Sequence, residues 1–184
     1  MKTTFSLISM MLTAFFIGIS SNVAKAQSTE QEVSFASRNM GGPRLGVTVV
    51  PGNNSTTKKM QDRGIGRMIS QFGWHFEQQI IPEGGGPSFV IQETPLVGGV
   101  EYGVLLPSFT LAMGVRLPNG IEFGMGPNLL VTPQEASSSL ILAVGKSYNY
   151  GGVSIPLNVA VATNKDGARL SFLFGYAIDK TSNK

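Results

Sequence analysis

The chain has no cysteine, one histidine and one tryptophan in 184 residues, and only 14% of its side chains are charged. Without cysteine there is no disulfide framework, no thiolate nucleophile and no thiol to accept a lipid. A single histidine excludes a histidine-cluster metal site, and the carboxylates are too scattered for a calcium loop. No cofactor is expected. Gly64-Ile65-Gly66 and Gly84-Gly85-Gly86 do not follow a strand and open a helix, so no dinucleotide fingerprint is present either. Charge at 14% lies well below the roughly 25% of ordinary globular proteins. A soluble protein so poor in charge has little to cover its surface with, whereas an outer wall that faces lipid needs none.

The N-terminus has the three parts of an export signal: Lys2, the apolar run Phe5 to Ile19, and Ala24-Lys25-Ala26. The expected organisation is a signal peptide over 1–26 cut between Ala26 and Gln27, a polar linker over 27–42, a barrel over 43–180 and a tail over 181–184. Loss of Lys2 and Lys25 takes the basic count from 14 to 12 against 11 acids. That balance gives no reason to expect a nucleic-acid partner.

From Pro43 onward the dominant period is two, the period of a strand. Eight candidate strands follow: 43–50, 69–80, 87–96, 108–117, 121–131, 139–148, 152–162 and 168–178. Beyond a short turn in Ser55 to Gln61, no segment reads as a helix. In "NGIEFGMGPNLLV" one face is Ile121, Phe123, Met125, Leu129 and Val131, and the other is Glu122, Gly124, Gly126 and Asn128. The other strands repeat this contrast, although in the third Glu93 and Pro95 fall on the parity of Phe89 and Ile91. A face of Gly, Ala, Ser and Asn suits a narrow lumen better than water, and a bulky apolar face suits hydrocarbon. Only a closed sheet satisfies its edge groups inside a membrane. The expectation is an all-β, eight-stranded antiparallel up-and-down transmembrane β-barrel.

The turns give an independent reading. Pro118-Asn119-Gly120 fits a three-residue hairpin loop with glycine in the left-handed position. Setting Leu117 opposite Ile121 then places Arg116 opposite Glu122, Gly114 opposite Gly124, Thr110 opposite Asn128, Val115 opposite Phe123 and Met113 opposite Met125. With the N-terminus in the periplasm, the long connection Pro51–Met68 faces outward and the three even-numbered connections are short turns. Tyr148, Tyr150 and Tyr176 gather at the periplasmic interface, and Lys146 lies near enough to it to snorkel. Pro127 and Pro156 fall inside strands, where bulges would accommodate them.

"IEFGMGPN" and "VSIPLNVAVATNKDGARLSFLFGYAI" resemble a group of exported bacterial barrel-like proteins, and 43–178 as a whole resembles the small eight-stranded outer-membrane barrels of Gram-negative envelopes. The resemblance implies an outer-membrane location and delivery by the outer-membrane insertion machinery; the partners expected are membrane lipid and lipopolysaccharide, and the chain is expected to be a monomer. In that family the chain commonly ends on an aromatic residue; here Tyr176 is the last, followed by Ala177 to Lys184. Some barrels of this kind deacylate or acylate lipid A with a histidine beside a serine or carboxylate, which here singles out His75.

The candidate residues form two groups. His75, Glu77, Arg116, Glu122 and Arg169 share the lumenal face, where they neutralise one another or line a channel. Lys58, Lys59, Arg63 and Arg67 make the first long loop basic, as a solvated loop or as a contact for anionic phosphates. The function expected is structural or surface-interacting and without catalysis. Two alternatives are a lipid-modifying hydrolase using His75, and a soluble ligand-binding barrel with the bulky face turned inward.

Overall fold

The computed structural model describes residues 34–151 and 153–179. The signal segment with its Ala26–Gln27 cleavage point, residues 27–33 and the tail 181–184 lie outside them. The described chain forms β1 (Phe35–Val49), α1 (Ser55–Gln61), β2 (Met68–Pro82), β3 (Ser88–Gly98), a 3-10 turn (Val100–Tyr102), β4 (Leu106–Arg116), β5 (Ile121–Val131), β6 (Ala136–Tyr150), β7 (Val153–Asn164), β8 (Gly167–Gly175) and β9 (Ala177–Asp179). All pairings are antiparallel, and β1 closes the sheet by pairing with β2 on one side and with β8 and β9 on the other. β8 and β9 are one strand interrupted at Tyr176. The fold is a closed eight-stranded up-and-down barrel.

Its stagger follows from the register. Asn39 pairs with Gln78, and the row continues through Ile91, Met113, Met125, Leu142, Val161 and Leu170 to Val49. One circuit thus returns to β1 ten residues further along, from Asn39 to Val49. With a rise of about 3.3 Å per residue and strands about 4.8 Å apart, that shear tilts eight strands by about 40°. The interior of such a barrel is only wide enough to be filled by side chains.

The sidedness is the inverse of a soluble barrel. Phe123, Met125, Leu157 and Phe172 point outward and are 54%, 51%, 44% and 55% exposed, while His75, Glu77 and Glu122 are buried in the lumen. The bulky-inward alternative is therefore excluded by geometry. The β4–β5 hairpin has the register that its turn dictates, with Arg116 opposite Glu122, Gly114 opposite Gly124 and Thr110 opposite Asn128. Gly120 sits at φ +83°, a region open to glycine at little cost.

Three expectations need correction. The first strand begins at Phe35 rather than Pro43, so residues 35–42 of the expected linker are barrel wall, paired from Phe35↔Pro82 to Gly42↔His75. Its outward positions Ser37, Asn39 and Gly41 are not apolar, so the usual alternation does not mark it. The turn at Ser55 to Gln61 is a full α-helix. Finally, the prolines sit in no bulge. At Pro127 the β4–β5 pairing lapses between Thr110↔Asn128 and Met113↔Met125, and at Pro156 the pairing with the last strand lapses between Ser154↔Ala177 and Leu157↔Phe174. The register is the same on both sides of each gap.

The reason is that a residue in an antiparallel ladder aims its N–H at one neighbour only. Proline therefore interrupts one side and spares the other: Pro127 stays in step with Leu140, and Pro156 with Ser147. Pro95 does the same, breaking step with β2 around Trp74 while remaining opposite Phe109. Glycine completes the device. A Cβ on Gly73 would collide with the Pro95 carbonyl, and one on Gly126 with the Leu111 carbonyl, so the wall bends tightly where the ladder lapses.

Candidate functional site

The lumen is layered. Toward the end with short turns lies a charged layer centred on Arg116. Its guanidinium forks onto both carboxylate oxygens of Glu77 (2.5 and 2.7 Å) and onto Oε2 of Glu122 (2.5 and 2.9 Å). Glu77 also accepts from Gln92 (3.2 Å), and Glu122 accepts from the Asn158 amide. Bidentate arginine–carboxylate pairing is the strong, geometrically specific kind. Two carboxylates share one arginine here, and Arg44, buried in the same layer, balances the charge while donating to the Pro43 and Tyr176 carbonyls.

His75 belongs to this layer. Its Nε2 lies 3.2 Å from Glu77 and its Nδ1 3.0 Å from the Thr94 hydroxyl, so both ring nitrogens are engaged. Hydroxyl, imidazole and carboxylate in series have the outline of a nucleophilic triad. The surroundings do not suit one. Thr94 and His75 line an internal cavity of about 50 Å³, far too small for a lipid, and Glu77 is already held by Arg116. The arrangement works as a packed polar interior.

Above it, Ile141, Ala160 and Ala162 form an apolar waist. A second polar layer follows, where Arg169 donates to Asn128 Oδ1 (2.9 Å) and Ser139 Oγ (2.7 Å), and Thr48 bridges Gln71 and Ser171 (2.6 Å each). Of the five lumenal residues picked out by parity, the structure brings His75, Glu77, Arg116 and Glu122 into one network and sets Arg169 in another. Arg44, Asn158 and Asn128 complete these networks. Parity places all three inward; what it does not give is which inward residues stand at the same height.

The far mouth is covered by the β1–β2 connection. Met60 and Ile65 turn inward onto Val50, Ile69 and Leu106 as a buried cluster. α1 is capped by Asn54, whose side chain accepts from the Thr57 N–H (3.0 Å). It is tied across the mouth to the β7–β8 turn, with Ser55 Oγ and Thr56 Oγ1 donating to the Asp166 carbonyl (3.0 and 3.1 Å). Lys59 reaches Glu135 in the β5–β6 loop (2.9 Å), and this hydrogen bond raises the lysine pKa above its ordinary value. On the other side Glu101 accepts from the Ser70 N–H and hydroxyl (2.6 Å each), and Tyr102 donates to the Met68 carbonyl (2.8 Å). The basic residues expected in this loop, Lys58, Lys59, Arg63 and Arg67, are all exposed on this lid. Beneath it remain cavities of about 80 and 60 Å³.

No protein-family model matches the chain, and no curated protein is similar to it. Among solved structures, the chain is similar to Ail, the attachment invasion locus protein of Yersinia pestis, in a crystal structure (TM-score 0.47, 11% identity, covering 78% of this chain and 97% of that one). It is similar to Ail in a phospholipid bilayer nanodisc (0.46, 8%, 77% and 99%) and to a chain from the de novo design of transmembrane β-barrels (0.43, 9%, 77% and 94%).

Proposed function

We propose that the protein is an outer-membrane β-barrel of structural or surface-interacting type, without catalytic activity. The observation that carries this reading is the inversion of its two faces: an exposed apolar wall around a lumen of satisfied charge. Hydrocarbon is the solvent in which such a wall is stable, and a closed sheet leaves no open edge along it. The interior is a plug that rigidifies the cylinder, which leaves the lid as the working surface. Lys58, Arg63 and Arg67 have no ion-pair partner among the described residues and fit the phosphates of lipopolysaccharide at the outer leaflet.

Export and fractionation in a Gram-negative host test the location. Recovery in the outer membrane, extraction only with detergent, and a gel mobility that changes on boiling are the expected results. Recovery in the aqueous fraction would defeat the reading. For the lid, Lys58→Gln, Arg63→Gln and Arg67→Gln together are expected to weaken binding of lipid A to the detergent-solubilised barrel, measured by co-elution, while leaving the boiling shift unchanged.

A further inference from the structure

Among the described strand residues that point outward, only two are charged: Glu93 on β3 and Lys146 on β6, and both are exposed. Glu93 is the central residue of Ser88–Gly98, so it stands at mid-height on the wall. Its neighbours across the ladder are Phe76 and Leu111, and it has no ion-pair or hydrogen-bond partner among the described residues. A carboxylate on two methylenes cannot reach either membrane surface from there. Ionisable groups at such depth almost always have a partner.

Lys146 is the complementary group. It stands four positions before Tyr150 at the end of β6, with its ammonium 5.5 Å from the Tyr148 ring centroid. The row from Ile91 to Leu142 climbs with the barrel's shear, which sets Lys146 within about 6 Å of the height of Glu93, a gap that a lysine side chain spans. The two are three strands apart around an eight-stranded cylinder and so face away from each other. One copy cannot pair them; two copies side by side can.

We infer that the outer wall carries a self-association contact in which Glu93 of one copy meets Lys146 of a second copy. The contact is heterologous, with different faces meeting, and because the two faces are not diametrically opposed, repetition builds curved rows or closed rings in the membrane plane. The inference rests on the membrane reading above and departs from the monomer expected from the sequence.

The absence of native cysteine makes the test direct. One copy carries Ile91→Cys and a second Val144→Cys, the outward neighbours of the two charges, and the two are expressed together and oxidised in the intact membrane. The expected result is a disulfide between unlike copies, reduced about fivefold or more by Glu93→Gln or by Lys146→Met, and restored by Glu93→Lys combined with Lys146→Glu in both. No disulfide despite a normal boiling shift would overturn the inference. So would a disulfide indifferent to Glu93→Gln, one formed between two Ile91→Cys copies, or one made only to another protein. Recovery without detergent would instead remove the membrane reading, and this contact with it.

Discussion

Glu77 and Glu93 are carboxylates on adjacent strands, one register step apart, since Glu77 faces Gln92 and Phe76 faces Glu93. One turns inward and gathers Arg116, His75 and Gln92; the other turns outward among Phe76 and Leu111. The same functional group is therefore a keystone on one face and an open valence on the other. In a barrel with inverted sidedness, the environment of a side chain is decided by parity before chemistry.

The sharpest way to break this comparison is to remove the lumen's shared cation. Arg116→Met strands Glu77 and Glu122 without a partner and is expected to cost about 3–5 kcal/mol in urea unfolding from lipid vesicles. Adding Glu77→Gln and Glu122→Gln is expected to recover most of that loss. If the single variant unfolds like the parent, the interior is not the sealed network described. On the wall, Met125→Arg is expected to cost about 2–4 kcal/mol in the same assay, the price of a cation facing lipid near mid-height. A neutral result would place that face in water.

The lid gives a local effect. Met60→Ala removes a buried anchor and is expected to loosen the covering by about 2 kcal/mol. The readout is faster trypsin cleavage at Lys58, Lys59 or Arg63 on intact cells, with an unchanged boiling shift. Smallest is the change that sharpens the contrast between the two glutamates. Glu93→Leu is expected to stabilise a dilute, unassociated barrel by about 1–2 kcal/mol, whereas Glu77→Leu destabilises it. Destabilisation by Glu93→Leu under dilution would show that Glu93 is satisfied within its own chain.

Much of this architecture is legible in the amino acids, because period-two alternation and one hairpin turn are local signals. Pro118-Asn119-Gly120 is enough to fix the pairing of Arg116 with Glu122, and Phe123 and Met125 declare the outer face. The non-local features are not legible. Ser37 and Asn39 break the outward apolar series, so the lower half of β1 reads as linker until its partner β2 is placed beside it. Arg44 carries the right parity, but its role depends on meeting the layer around Glu77, which only the ten-residue shear decides. The prolines read as obstacles because sequence does not show which neighbour each N–H would have faced.

The closing strand comes in two pieces, nine residues in Gly167–Gly175 and three in Ala177–Asp179, parted where the register sets Pro43 opposite Tyr176 and Pro156 opposite Gly175. The seam of the cylinder is therefore sewn twice. The long stitch joins Leu170 to Val49 and Phe174 to Leu157; the short one is held by Met40, Gly41 and Val153 and riveted by Arg38 on Asp179 at 2.6 Å. Undoing the short stitch leaves the long one whole, so Ala177–Asp179 can unlatch while Arg44–Val49 stays joined to the eighth strand.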